Sequence, residues 1–271
     1  MLEQLFNLKS IKGSSLNIIL LGVIYAFIGT LSALMLFPNY VSIMSLAFTS
    51  VLLIPSIGKL MKEEENIVAN ERHFSVLVLF RDHKDVIRLY LLLFFGIFLS
   101  FCAIGVFTSN TYVEHYFGAQ LKIAGISGEA VNIGGEFAGI VMNNLLVLVI
   151  CFILSLAYGS GSILFIVWNA SVWGIVFGYF IHQSAVSSQS SMLIYFTQMF
   201  LPFLPHMLTE ALSYILAAVV GGVISKAVLR EKMFSHKFNH ILVDGLLVAA
   251  FGFLVVVIAG AIEVFVFPLF L

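Results

Sequence analysis

Read along the chain, long apolar runs alternate with short polar ones. A helix crosses the hydrocarbon core of a bilayer with about 20 residues. Seven runs approach or exceed that length: 16–37, 41–59, 88–107, 140–158, 162–181, 206–228 and 242–265. Backbone groups find no water there, and a continuous helix satisfies them internally. The second run is the most polar, with Ser42, Ser45, Thr49, Ser50, Ser56 and Pro55. The stretch 192–205 is apolar but short, and Pro202 and Pro205 interrupt it. It reads as a re-entrant or interfacial segment before the sixth span. The pattern predicts an all-α, polytopic transmembrane helical bundle of about seven spans, six at the fewest.

Composition agrees. Apolar residues make up 61% of the 271, and charged residues only 10%. Soluble domains carry about 25% charge. The net charge of −1 gives no basic surface for nucleic acid, so the one partner implied is the lipid bilayer. The few charges test the topology. Lys9 and Lys12 precede the first span. Lys59, Lys62, Arg72, Arg81, Lys84 and Arg88 lie between or at the ends of spans two and three. Lys226, Arg230, Lys232 and Lys237 lie between or at the ends of spans six and seven. With seven spans these groups share one side, and only Lys122 faces the other. The positive-inside rule then predicts a cytoplasmic N-terminus and an outside C-terminus in the cell membrane. The first apolar run is too long for a signal peptide and reads as a retained span. Cys102 and Cys151 sit in apolar runs, where thiols behave as small hydrophobes.

Two organisational regions follow. Residues 1–87 form a two-span hairpin plus a cytoplasmic amphipathic segment, and 88–271 form the main bundle. Glu63, Glu64 and Glu65 are placed to start a helix in the 60–87 segment, since acids favour helix N-termini. The apolar run 74–80 is suited to the membrane interface. The outer loop 108–139 is rich in glycine, and 127–139 reads as an amphipathic lead-in to span four. Gly159-Ser160-Gly161-Ser162 reads as a tight cytoplasmic turn.

Polar groups at membrane depth are costly, so each requires an account. His206 and Glu210 open span six, four residues apart and therefore on one helix face. Asn143 and Asn144 begin span four, Asn169 lies midway in span five, and Glu263 lies near the outer end of span seven. Their similar depth suggests one buried polar cluster. It is either a hydrogen-bonded network that fixes packing or a site for a partner, ion or substrate. One His and two carboxylates can bind zinc, but no Cys-rich or His-Glu-x-x-His spacing supports it. No metal or cofactor is therefore assigned. Small residues Gly174 and Gly178 in span five, and Ala218, Gly221 and Gly222 in span six, permit close helix approach. They read as packing between spans five and six. His182 reads as interfacial. No nucleophile elbow or P-loop occurs, and no catalytic residue is assigned.

The order of these motifs resembles the stage II sporulation protein M family. An Asn143-Asn144 pair opens one span, Asn169 with small residues marks the next, and Pro205-His206 with Glu210 opens the third. The resemblance is nearest over about 90–230. Two positions depart from the family pattern: Met207 replaces the Gly after the His, and Ala170 replaces the Gly after the Asn. The resemblance implies a non-catalytic integral membrane scaffold or assembly protein with a protein partner or homo-oligomeric state. The polar cluster leaves two alternatives open. One is a transporter or channel component that handles ions or protons at Glu210 and His206. The other is an intramembrane hydrolase.

Overall fold

The computed structural model describes residues 14–68, 84–123, 133–158, 163–188 and 191–266. Every regular element among the described residues is helical. Helix α1 spans Ser15–Leu36, and a 3-10 turn at Pro38–Tyr40 leads into α2, Val41–Val68. Then come α3 (Lys84–Phe107), α4 (Asn110–Ile123), α5 (Ile133–Tyr158) and α6 (Ile163–Ser188). The last two are α7 (Met192–Arg230) and α8 (His236–Ala261), and α8 runs on as a π-helical turn, Ile262–Val266. All but α4 are long and apolar enough to cross a membrane, which makes seven candidate spans among the described residues. The chain is an all-α, multi-pass membrane protein.

Three elements differ from the sequence expectation. The 192–205 segment is not separated from span six. It is the first part of α7, one helix of 39 residues. At 1.5 Å per residue such a helix is about 58 Å long, roughly twice the ~30 Å hydrocarbon thickness. Pro202 and Pro205 each remove one backbone donor, which a helix this long tolerates without ending. Glu63, Glu64 and Glu65 do not open a new helix either, because α2 passes through them to Val68. Lys, Leu, Met and Glu dominate 59–65, and all favour helix. Third, the segment 108–139 holds a full helix, α4. Its buried face is Val113, Phe117, Gln120 and Leu121, a helical spacing that Gly118 partly conceals in the sequence. The segments 1–13, 74–80 and 159–162, on which other expectations rest, lie outside the described residues.

The chain forms two compact units. The first comprises 1–53, 92–131 and 166–204. Within it α3 and α6 are in backbone contact. A β-carbon on Gly178 would lie 2.9 Å from the α-carbon of Gly105, and one on Gly174 would lie 2.6 Å from the Phe98 carbonyl oxygen. No side chain fits at either position. Aromatic rings extend this seam to the first part of α7. Phe98 lies 5.8 Å from Phe177 and 6.1 Å from Phe200, and Phe203 lies 4.6 Å from Trp173. Three polar contacts also lie within this unit. The Tyr179 hydroxyl donates to Glu114 at 2.8 Å, Ser42 donates to the fully buried Gln120, and His182 Nδ1 lies 2.8 Å from the Val106 carbonyl oxygen.

The second unit comprises 54–91, 132–165 and 205–271. Its core joins α5, α7 and α8 through Leu148, Cys151, Tyr214, Ala217 and Val256. Gly221 of α7 faces Phe152 and Ser155 of α5, where an added β-carbon would lie 2.6 Å from the Phe152 carbonyl oxygen. The Ser155 hydroxyl donates to the Ala218 carbonyl. Gly222 is buried beside it in sequence. Small residues lie at both close approaches. Those of span five meet α3, and Ala218 and Gly221 of span six meet α5. A small-residue spacing tells that a backbone approaches, without naming whose backbone it is.

Candidate polar centre

The centre is built from α7 and the end of α8. His206, Glu210 and Tyr214 recur at intervals of four and share one face of α7. Side chains on a helix lean toward its N-terminus, so each reaches back to the one before. The Tyr214 hydroxyl donates to Glu210 Oε1 at 2.6 Å. Glu210 Oε2 lies 3.2 Å from His206 Nε2. Glu263 enters from the other helix, with Oε2 3.4 Å from the same Nε2. Its position depends on the π-helical turn Ile262–Val266. Such turns are rare and recur at functional sites.

The far side of the imidazole is fixed as well. His206 Nδ1 lies 3.0 Å from the Ala259 carbonyl oxygen. A carbonyl only accepts, so Nδ1 carries a hydrogen and donates it. The Ala259 carbonyl also accepts from the Ile262 amide, and a carbonyl oxygen has two lone pairs, so it can take both donors. Nε2 therefore faces two acidic groups. A bare lone pair opposite two ionised carboxylates would repel both, so at least one proton is shared between ring and acids. His206 is fully buried, Glu210 is 3% exposed, and the Glu263 side chain is 29% exposed. Burying charge so deeply is tolerable only when it is paired and hydrogen-bonded. Beside the centre, the Ser213 hydroxyl donates to the Glu210 carbonyl oxygen at 2.7 Å.

The asparagines stand differently. Asn143 donates to Asn144 Oδ1 at 3.3 Å, with Asn144 buried and Asn143 exposed. Asn169 is buried in the first compact unit, whereas the His–Glu–Glu centre belongs to the second. Tyr214 and the Ala259 carbonyl were not singled out in the sequence. Tyr214 had a visible signal, its four-residue spacing from Glu210. The carbonyl had none, since every residue carries one. Among the described residues no group of three or more His, Cys, Asp or Glu is arranged to hold a metal ion. Chemically, the centre can hold and share protons and can tie α7 to α8.

No curated protein and no solved structure matches the chain. The stage II sporulation protein M family matches over residues 91–268, from within α3 to just beyond the π-helical turn. That range includes Asn143, Asn144, Asn169, His206, Glu210 and Glu263, and it covers well over half of the sequence. The chain belongs to the stage II sporulation protein M family.

Proposed function

We propose that the chain is a non-catalytic membrane scaffold that holds a protein partner, or further copies of itself, in the bilayer. The observation that carries this reading is the self-contained polar centre. Its ring nitrogens and acids are met by the chain's own groups, as a structural staple requires. Two spans also leave much of their surface to their surroundings. Only 22% of the α5 span and 28% of the α8 span are buried within the chain. On α5 the exposed Met142, Leu146, Val149 and Ile153 form one apolar stripe suited to lipid or to a neighbouring helix. The basic-residue distribution supports a cytoplasmic N-terminus and an outside C-terminus.

Crosslinking in native membranes tests the scaffold. A cysteine placed at Leu146 or Ile153 is expected to join a partner or a second copy. A chain that stays monomeric, in membranes and in mild detergent, overturns the proposal. A second reading rests on the 29% exposure of Glu263. Through it the centre would exchange ions or protons, as intramembrane acids in transporters do. This reading requires flux in proteoliposomes that Glu210→Gln abolishes, and absence of flux under imposed gradients removes it.

A further inference from the structure

We propose that the loop between α7 and α8, residues 230–237, docks on anionic phospholipid, with an apolar tip in the bilayer and basic residues on the headgroup phosphates. The helices on either side are candidate spans, one ending at Leu229 and the next starting at Phe238. The loop therefore lies where two spans leave the bilayer. Its tip is apolar all the same. Leu229 is 83% exposed, Met233 63% and Phe234 79%.

Phe234 stands where its own turn does not favour it. The Ser235 amide donates to the Lys232 carbonyl at 3.0 Å and closes a turn over 232–235. Phe234 is the third residue of that turn, with φ of 64°. Positive φ at this position favours Gly or Asn, and a bulky side chain there is an outlier. Turn geometry thus selects against a phenyl ring, and a ring kept there needs a compensating contact. The buried Phe238 ring, 6.4 Å away and edge-on, steadies it without covering it. Ser235 caps α8 by accepting from the Phe238 amide at 3.2 Å, so the turn enters the helix in a set direction. Insertion at the headgroup–acyl boundary supplies the missing contact, as it does for apolar side chains of interfacial helices.

The charges name the lipid. Arg230, Lys232 and Lys237 stand against Glu231 alone, and Lys226 lies one turn before the end of the span. Lys232 is exposed and opens the turn that carries Phe234. Basic clusters beside a transmembrane helix attract anionic lipids, and each basic residue near the surface favours association by about fivefold. An apolar tip and a basic flank within one turn match a surface that presents acyl chains and phosphates side by side.

Quenching by brominated lipid tests this proposal in the full chain, reconstituted in phosphatidylcholine vesicles. A bimane label on Met233→Cys is the reporter, and Cys102 and Cys151 are buried. Brominated phosphatidylglycerol is expected to associate with the label at least about fivefold more strongly than brominated phosphatidylcholine. Replacing Arg230, Lys232 and Lys237 together by Gln is expected to bring the two lipids to parity. Lys122→Gln, in α4, is expected to leave the preference intact. Phe234→Gly suits the turn and so keeps the fold, and it is expected to lose quenching by both lipids. Parity in the unsubstituted loop, or a preference that survives the triple substitution, overturns the headgroup contact. Quenching by neither lipid, or quenching that Phe234→Gly leaves unchanged, overturns insertion of the tip. Inorganic phosphate in place of chloride at equal ionic strength is expected to change nothing. Loss of the preference in phosphate would make a free anion the ligand and overturn the proposal. So would a photoreactive analogue of Phe234 that joins a protein instead of lipid.

Discussion

Two seams hold helices together by opposite means. In the first unit α3 meets α6 through Gly105, Gly174 and Gly178, with ring packing beside them. In the second unit α7 meets the end of α8 through an imidazole and two carboxyl groups. In lipid the hydrophobic effect does not drive helices together, so packing and polar contacts must do so. At its glycines the first seam is held by packing, and it tolerates no added atom there. The polar seam uses directed contacts, and it tolerates no missing one. The two seams should therefore fail in opposite ways, the first to enlargement and the second to deletion.

The largest expected effect is at the polar seam. His206→Ala leaves Glu210 and Glu263 without the base between them. Removing one partner of a buried ion pair typically costs about 3–5 kcal/mol. Chemical unfolding of the purified chain in detergent measures the loss. A cost below about 1 kcal/mol, the range of exposed pairs, would mean that this centre is open to water. Glu263→Gln should cost less than Glu210→Gln, because Glu263 is partly exposed and Glu210 is not.

Next comes the glycine seam. Gly178→Leu drives a side chain into the backbone of α3 at Cys102 and Gly105. Overpacking of a tight core costs about 1–3 kcal/mol, sometimes more. Here the obstacle is backbone, which yields less than a side chain, so the upper end is expected. The readout is the yield of monodisperse protein, together with its unfolding midpoint. Gly118→Ala in α4, where open space surrounds the position, serves as the control and should have no such cost. Equal losses in the two variants would show that the seam is not the cause.

These contrasts also mark what the sequence makes legible. A bilayer imposes length and apolarity on each span, so all seven spans are visible as runs. The His206–Glu210 contact is visible because helical spacing dictates it, and Glu263 is visible as a costly charge inside a span. Other features depend on tertiary choice. Gly174 and Gly178 advertise a close neighbour, yet nothing in their spacing distinguishes α3 from the sixth span. Asn169 shares the polarity of the centre and is buried, but depth along a span does not fix which face or neighbour a residue meets. Helix α4 was concealed because Gly118 interrupts its pattern and Phe117 departs from helical geometry, with φ −124° and ψ 21°. The continuity of α7 was concealed by two prolines, which penalise a helix without always ending it.

Within the polar seam, Tyr214→Phe is a smaller break. It keeps the ring in its core and removes only the hydroxyl that donates to Glu210 Oε1. Hydrogen bonds to charged groups contribute about 1.5–3 kcal/mol, and the lower end is expected because Glu210 keeps its contact with His206. A double-mutant cycle with Glu210→Gln isolates the pair. Strict additivity of the two losses would show that hydroxyl and acid do not interact.

The smallest expected effect lies where the two strategies meet. Ser155 is fully buried, donates to the Ala218 carbonyl, and sits against Gly221. It is therefore both a small residue at a tight crossing and a polar one. Ser155→Ala removes the hydroxyl but keeps the β-carbon and the close approach. The Ala218 carbonyl lies inside α7, where it also serves as a backbone acceptor. Interhelical hydrogen bonds in membrane proteins average about 0.6 kcal/mol and reach about 1.7 kcal/mol at most. A loss near the average is expected, whereas Ser155→Leu should resemble Gly178→Leu. That ordering would assign the α5–α7 crossing to shape, with the hydroxyl as a minor addition. A loss from Ser155→Ala as large as that from Ser155→Leu would reverse it. Small residues at this crossing would then act through the hydrogen bond they present, and the division between a packed seam and a polar seam would not extend to α5.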